Sequence, residues 1–255
     1  MLSEPAQQII NRYLHLPFKN LSGVGCPYFL NKGNRVRGGL RALIGKGSPE
    51  DIREEAMIIS LRDKIELAGL NAEQLKKFLV DHRLGVDCSA LLYYALEAEC
   101  RARGLGKLKN LLRFPTQNPW RKLLIKLRPV ENTSVRVFAA PENSRAIALA
   151  EAAAGDFIIV LNWDPAEHYD HIMLIHDVTR STDAPPVLHY THSLRWATDG
   201  RYHHGVRQGT IEVIHPAAPL TAQRWTEQGK TDTDNETFTR AQRAEKIELR
   251  RLKIL

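Results

Sequence analysis

The chain has 255 residues, of which 43% are hydrophobic, 25% charged and 7% aromatic. This is the composition of an ordinary globular protein, and it excludes a disordered, collagen-like or disulfide-framework chain. Three cysteines cannot all pair, and such sparse cysteine usage is typical of a reducing compartment. Residues 1–18 lack the basic and long apolar regions of a signal peptide, and no stretch reaches the roughly 20 apolar residues of a membrane span. We therefore expect a cytoplasmic protein with no membrane partner.

The positive charge of the chain is concentrated in one segment, residues 101–128. This segment contains nine Lys or Arg and no Asp or Glu, whereas the net charge of the whole chain is only +7. Such a segment can bind an anionic partner, such as nucleic acid, phosphate or a carboxylate-rich substrate, or it can be a solvated helix surface. Aromatic residues that could stack on bases are not interleaved with the cations, which disfavours nucleic acid.

Helices are predicted for the first half of the chain. Apolar residues at helical spacing predict a first helix over 5–14. Ser48, followed by a proline and two acidic residues, predicts the start of a second helix, and Asn71 predicts the start of a third over 72–81. A fourth helix is expected over 88–104. The second helix should run to about Leu67, with these apolar residues on one face: Met57, Ile58, Leu61 and Ile65.

Beyond residue 134 the pattern changes to short apolar runs separated by turns, which predict strands. Four runs have this character: 156–161, 171–178, 187–193 and 209–214. They follow one another too closely for helices to lie between them, which predicts an antiparallel meander. Helices followed by a small antiparallel sheet make an α+β domain.

The predicted domain organisation follows from these elements. We expect one domain over 1–230, with helical insertions near 48–82 and 101–133. The charged tail over 231–255 is predicted to form an amphipathic C-terminal helix.

Cys88 is the cysteine whose position best suits chemistry, because it stands at the predicted start of a helix, directly after Asp87. The N–H groups and positive dipole at a helix start stabilise a thiolate, which predicts a lowered pKa for this cysteine. The same N–H groups can form an oxyanion hole. Cys26 lies in a loop and Cys100 inside the helix, and both are expected to be structural.

A cysteine nucleophile needs a base, and His171 opens the second predicted strand. His189 and His192 lie three residues apart on the next strand, so they face opposite sides and only one of them can face His171. A cysteine, a strand histidine and a polar orienting residue on the next strand form the arrangement of papain-like hydrolases.

The stretch GVDCSALL at residues 85–92 resembles the motif that carries the nucleophile in NlpC/P60 cysteine peptidases. The resemblance extends from about residue 24 to 195, which is most of the chain, and it implies a papain-like fold. Four more segments resemble motifs of that family in the family's order: CPYF at 26–29, EAAAGDFI at 151–158, HIMLI at 171–175 and VLHYTHS at 187–193.

This resemblance implies a thiol hydrolase that cleaves an amide or isopeptide bond, in a peptidoglycan-type stem peptide, through a thioester. Cys88 would be the nucleophile, His171 the base and His192 the residue that orients the base, with His189 as the alternative. The implied partner is a peptide or muropeptide substrate, and no cofactor is expected. Candidate substrate-binding residues are Tyr28, Asp87, Ser89 and Trp196.

A purely structural role is the alternative for several of these residues. Asp87 can be a helix cap, and Trp196 can be a core residue. His203 and His204 are predicted to be solvated in a polar loop, and no metal is expected, because no further ligand at the right spacing joins His171. A function of another class also stays open, namely a non-catalytic binding module of the same fold that holds an anionic macromolecule through the basic segment.

Overall fold

The structure is a computed structural model that describes residues 1–18, 23–31, 40–116, 118–164 and 166–255. Within these residues it contains nine α-helices and one antiparallel sheet of eight strands, so the α+β prediction is confirmed. The helices are α1 (Glu4–Leu14), α2 (Pro49–Asp63), α3 (Ala72–Asp81), α4 (Cys88–Ala102), α5 (Leu108–Leu111), α6 (Pro119–Leu127), α7 (Pro129–Asn132), α8 (Val135–Ala139) and α9 (Glu236–Arg243). The strands are β1 (Ser144–Ala146), β2 (Phe157–Asp164), β3 (Tyr169–Thr179), β4 (Val187–Leu194), β5 (Gly205–Glu212), β6 (Arg224–Glu227), β7 (Lys230–Thr231) and β8 (Lys246–Leu252).

The sheet has the strand order β1-β8-β2-β3-β4-β5-β6-β7. From β2 to β7 each strand pairs with the next along the chain, and β2 to β5 are the predicted meander. β8 departs from this order because it lies between β1 and β2 and pairs with both. Strands β1, β6, β7 and β8 were not predicted.

Apolar side chains cover both faces of the sheet. On β3, Ile172 and Leu174 belong to a core cluster shared with α1 and α4. Met173 and Ile175 belong to a second cluster, which includes Phe238 of α9. Burial on both faces explains why the strands appear in the sequence as continuous apolar runs.

The helix starts predicted at Ser48 and Asn71 are confirmed. Each side chain accepts a hydrogen bond from the backbone N–H three residues on, and each is part of a capping box. The second helix ends at Asp63, before the predicted Leu67. Its predicted apolar face is exposed, since Leu61 is 79% accessible, and the buried face carries these residues instead: Ile52, Ala56 and Ile59.

The prediction of a charged helix over 231–255 is wrong for most of that segment. Only Glu236–Arg243 is α-helical, and Lys246–Leu252 is a strand inside the sheet. The charged residues of this strand led to the prediction of a solvated helix. They are compatible with a strand inside the sheet because acidic partners neutralise them. The guanidinium group of Arg251 pairs with the buried Asp156 at 2.7 Å, and that of Arg250 pairs with Glu248 at 2.5 Å.

None of the helices in the described ranges is both long enough and apolar enough to cross a membrane.

The position of β8 predicts a stability effect at Leu249, which is 3% exposed in the second core cluster. Leu249→Ala should lower the free energy of unfolding by about 3 kcal/mol, because it leaves a cavity beneath an inner strand. Urea unfolding measures this loss. Lys253→Ala, at an exposed position just after β8, is the control and should change the free energy by less than about 0.5 kcal/mol. Equal small effects of both substitutions would contradict the inner-strand position of β8.

Candidate active site

Cys88 is the first residue of α4, and Asp87 is the N-cap of that helix. The Asp87 carboxylate accepts a hydrogen bond from the backbone N–H of Ala90 at 2.8 Å. The N–H groups of Cys88 and Ser89, at the first two helical positions, have no partner within the helix. They are therefore placed to donate to an oxygen that becomes negatively charged beside the Cys88 sulfur.

Side-chain contacts of Lys46 and Ser193 hold the segment that enters α4. The ammonium group of Lys46 lies 2.7 Å from Asp87 Oδ2 and 2.6 Å from Ser89 Oγ. The hydroxyl of Ser193 on β4 donates to the carbonyl of Val86 at 2.7 Å, which attaches this segment to the sheet. Asp87 and Ser89 line the cavity, but their polar atoms serve the helix cap and Lys46, and their predicted role in substrate binding stays a prediction.

The Cys88 thiol does not have the lowered pKa that its helix position predicts. Burial, reinforced by the negative charge of Asp87, raises the pKa of Cys88 to about 12. The backbone N–H of Ile172, Lys46 and the N–H of Ser89 act in the opposite direction and do not compensate. The helix dipole is thus outweighed by desolvation, and Cys88 at rest is a thiol.

His171 and His192 are in direct contact. His171 Nε2 lies 2.8 Å from His192 Nδ1, and His192 Nε2 lies 3.0 Å from Oε2 of Glu227. Burial is the largest cause that holds the pKa of His171 well below its usual value, and the nearby Arg240 and Arg207 act in the same direction. His171 is therefore neutral near pH 7, as a base that accepts a proton must be.

The structure brings His192, and not His189, to His171. His189 lies on the opposite face of β4, where its Nε2 is 2.9 Å from the hydroxyl of Thr179. Its ring lies next to His176, at 6.1 Å between centroids. The two-residue periodicity of a strand accounts for this separation.

Glu227 on β6 is the residue of this site that the sequence analysis missed. Its side chain is fully buried, and Oε2 accepts hydrogen bonds from Tyr190 Oη at 2.8 Å and from His192 Nε2 at 3.0 Å. Burial opposes its ionisation, but His192, Tyr190 and Arg207 outweigh that penalty and hold the pKa of Glu227 below its usual value. It lies two residues after Trp225, on the face of β6 that points into the core, but the sequence did not predict this strand.

Gly209 makes the contact across β5 possible. It is paired with Tyr190 on one side and with Glu227 on the other, so it lies between the two partners of the hydrogen bond. A Cβ atom at this position would overlap the Tyr190 hydroxyl and approach the Thr226 carbonyl oxygen to 2.9 Å. A glycine at this position therefore lets the Tyr190 hydroxyl reach across β5 to Glu227.

Arg207 on β5 continues the buried polar network beyond Glu227. Its guanidinium group lies 2.5 Å from Asp199 and 3.7 Å from Oε1 of Glu227. It also lies 5.0 Å from the ring centroid of Trp196. The buried carboxylates of Asp199 and Glu227 thus share the one guanidinium group of Arg207. The side of His192 that faces Glu227 therefore carries an excess of negative charge.

A cavity of about 960 Å³ contains Cys88 and His171 among its lining residues. Tyr28, a predicted substrate-binding residue, also lines it, and so does Trp163, which stacks on Tyr169 at 5.5 Å. The charged residues of the lining are six Lys or Arg and three Asp or Glu. These six cations are Lys46, Arg83, Arg121, Arg195, Arg201 and Arg240.

Two further predictions about this region need correction. Trp196 is not among the side chains that line the cavity, because it is 1% exposed and its Nε1 donates to Thr237 Oγ1 at 2.9 Å. His204 is not solvated, since it is 6% exposed and lines the cavity in edge-to-face contact with Tyr28. Cys26 and Cys100 are buried free thiols away from the cavity lining.

No three His, Cys, Asp or Glu side chains in the described part of the chain converge as ligands for a metal ion.

Comparison with family models, with curated proteins and with solved structures gives no match to this chain. The resemblance to NlpC/P60 peptidases therefore stays a prediction, and the geometry of the side chains carries the interpretation of the site.

Gly209→Ala should lower the free energy of unfolding by about 2 kcal/mol, because the added methyl group pushes the Tyr190 hydroxyl away from Glu227. Urea unfolding gives the change directly. Gly69→Ala is the matched control, since its added Cβ would meet no atom within 4 Å and its backbone needs no glycine. If the two alanine variants were equally stable, the proposed close approach at Gly209 would be refuted.

The stability of the fold should fall in acid, in part because of His204. Burial, together with Lys76 and Arg195, lowers the pKa of His204 from 6.5 to about 4. The unfolded chain therefore binds this proton between pH 6.5 and 4 while the folded chain does not, so stability is full above pH 6.5 and is lost as the pH falls towards 4.

The test compares the free energies of unfolding at neutral pH and near the lower end of that window. The acid-induced loss should be smaller in His204→Asn by about 2 to 3 kcal/mol. His203→Asn, at the exposed neighbouring position, serves as the control. An unchanged acid loss in His204→Asn would show that this ring takes no part.

Proposed function

We propose that the protein is a cysteine hydrolase of the papain-like NlpC/P60 type, which cleaves an amide or isopeptide bond through a thioester on Cys88. The observation that carries this proposal is the chain of contacts His171–His192–Glu227, whose first member lines the same cavity as a cysteine at a helix start. A nucleophile, a base and a residue that orients the base are the parts that such chemistry needs.

The carboxylate of Glu227 determines which ring nitrogen can act as the base. Because an ionised carboxylate only accepts, His192 donates from Nε2 and its Nδ1 is the acceptor. His171 then donates from Nε2 to His192, at 2.8 Å. The free lone pair of His171 is therefore on Nδ1, and this nitrogen accepts the proton of the Cys88 thiol.

The first half of the reaction forms the thioester. The Cys88 sulfur attacks the carbonyl carbon while the thiol proton moves to His171 Nδ1, and the N–H groups at the start of α4 hold the oxyanion. The bond to nitrogen then breaks, and the amine leaves with the proton from His171. In the second half, water attacks the thioester carbon and gives a proton to His171. The carbon–sulfur bond then breaks, the Cys88 sulfur takes that proton back from His171, and the carboxylic acid is released.

The pKa values of Cys88 and His171 indicate that the thiol proton moves to His171 during the attack, and that no thiolate forms beforehand. Cys88 is a thiol with a pKa of about 12, and burial keeps His171 neutral. The positive charge that develops on His171 is stabilised through His192 by the negative charge of Glu227. Glu227 is thus a positioning residue that acts through the two histidines.

The cavity supports an acidic peptide as the substrate. Its lining carries twice as many Lys or Arg as Asp or Glu side chains, and its volume of about 960 Å³ suits several peptide residues. A peptidoglycan-type stem peptide has the required carboxylates, and the resemblance to NlpC/P60 peptidases points to the same class.

The decisive experiment incubates the purified protein with a set of muropeptides and with unrelated peptide amides. We expect cleavage of one amide bond and, after an acid quench, an acyl adduct on Cys88 by intact-mass measurement. Cys88→Ala should abolish both signals. Binding of muropeptides without any adduct or cleavage would favour the alternative, a non-catalytic binding module.

The roles of the two β4 histidines are tested by a matched pair of substitutions. His192→Ala should lower kcat by about 10² or more, because His171 loses the acceptor that sets its tautomer. His189→Ala, on the opposite face of the same strand, should leave kcat within about twofold. If His189→Ala were the inactive variant, the site would lie on the other face of β4.

Glu227→Gln should lower kcat by about tenfold or more, because an amide can donate to His192 and reverse both tautomers. The pH dependence of kcat separates this role from a structural one. Loss of the carboxylate removes the charge that stabilises protonated His171, so it should shift the acidic limb of the profile to lower pH, whereas a purely structural defect would lower kcat equally at every pH.

A further inference from the structure

Helix α6 presents an apolar face to solvent. Trp120 is 75% exposed and Leu127 is 65% exposed, with Leu123 and Leu124 also exposed between them. Their spacing of three and four residues places all four side chains on one side of the helix. Ile125, which is 8% exposed, lies on the other side and attaches the helix to the protein.

The helix forms without help from a partner on that face. Asn118 caps it by accepting hydrogen bonds from the backbone N–H groups of Trp120 and Arg121, at 3.0 and 3.3 Å, and Pro119 occupies the first turn. An exposed apolar stripe on a helix that is already capped is a preformed binding surface.

Cations surround this apolar face. Arg121 and Lys126 flank it on the helix itself, and the ammonium group of Lys109 reaches the carbonyl of Lys126 at 3.4 Å from the neighbouring helix α5. The whole segment 101–128 contains no acidic residue. An amphipathic helix with Trp and Leu on one face and Lys and Arg beside it is the pattern that lies in the interface of an anionic bilayer.

We propose that this face of α6, formed by Trp120, Leu123, Leu124 and Leu127, docks the protein onto an anionic membrane surface. The helix would lie in the headgroup region and not cross it, so the lack of a spanning helix in the described ranges is compatible with this role. Arg121 also lines the cavity, so the docked protein would hold the mouth of its cavity next to the membrane.

Two other occupants fit the observations less well. A nucleic acid would need aromatic side chains for stacking, whereas three of the four exposed apolar residues are leucines. A protein partner or a second copy would be expected to avoid lysine, which is depleted at protein interfaces, and the cations here lie directly beside the apolar face.

The test uses the full-length protein and vesicles of phosphatidylcholine alone or mixed with phosphatidylglycerol in a 3:1 ratio, about a quarter anionic lipid. We expect co-sedimentation at least about tenfold stronger with the anionic vesicles, together with a blue shift of tryptophan emission. That shift reports mainly on Trp120, because Trp196 and Trp225 are buried and Trp163 is half-buried against Tyr169 and Arg240. Quenching by lipids brominated in the acyl chain should place Trp120 below the headgroups.

Leu124→Glu should weaken vesicle binding by about tenfold or more, and Lys126→Gln by about fivefold. Leu61→Glu is the matched control, because Leu61 is equally apolar and 79% exposed but lies on α2 among charges of both signs. It should leave binding unchanged. Thermal unfolding confirms that all three variants are folded, as expected for substitutions at exposed positions.

Binding equal for neutral and anionic vesicles, or equal losses in Leu61→Glu and Leu124→Glu, would overturn the proposal. So would a dimer that Leu124→Glu dissociates, or an affinity for single-stranded DNA that Leu124→Glu weakens as much as vesicle binding. The proposal is independent of catalysis, since Cys88→Ala should bind vesicles as well as the unmodified protein does.

Discussion

The buried carboxylate of Glu227 is the interaction on which the rest of the site depends. A fully buried charge is unfavourable unless hydrogen bonds and opposite charges surround it, and Glu227 receives both from Tyr190, His192 and Arg207. These partners come from β4 and β5, so one ion defines the spacing of side chains across three strands. The orientation of the His192 ring, and through it that of His171, follows from the need to satisfy this carboxylate.

The start of α4 is organised by a second buried charge, which acts independently of the first. Asp87 caps the helix and is neutralised by Lys46, whose ammonium group also reaches Ser89. The carboxylate of Asp87, the residue before Cys88, thus has the Lys46 ammonium group as its counter-ion. The cysteine end of the site is thus held by a helix cap, and the histidine end is held by the sheet. Such a division lets each half be rigid before the substrate arrives.

The sequence was most informative where a local chemical signal determines the structure. The capping residues Ser48, Asn71 and Asp87 define helix starts from within three residues, and they were recognisable without any knowledge of the fold. The choice between His189 and His192 follows from strand periodicity, but only once the facing strand is known. Glu227 could not be assigned, because its role depends on contacts with residues 35 and 37 positions away in the chain.

Two expectations, a helical C-terminal tail and a lowered pKa for Cys88, were wrong because they were made without knowledge of burial. Arg250 and Arg251 made the tail look like a solvated helix, yet their partners lie on β1, on β8 itself and just before β2. Burial of Cys88 reversed the expected effect of the helix dipole on its pKa, since desolvation grows with depth while the dipole acts only over the first turn. In both cases the deciding quantity was burial, which depends on the complete fold.

The place of β8 between β1 and β2 has a consequence for the order of folding. Within the described residues β1 pairs with β8 alone, and β8 pairs with β2 residues that lie 85 to 93 positions earlier in the chain. Closing such a long loop is slow compared with forming the hairpins of the meander. During synthesis the edge of β2 that pairs with β8 therefore stays unpaired until residues 246–252 have left the ribosome. The exposed edge of a strand as apolar as β2 is a surface that a chaperone would have to shield in that interval.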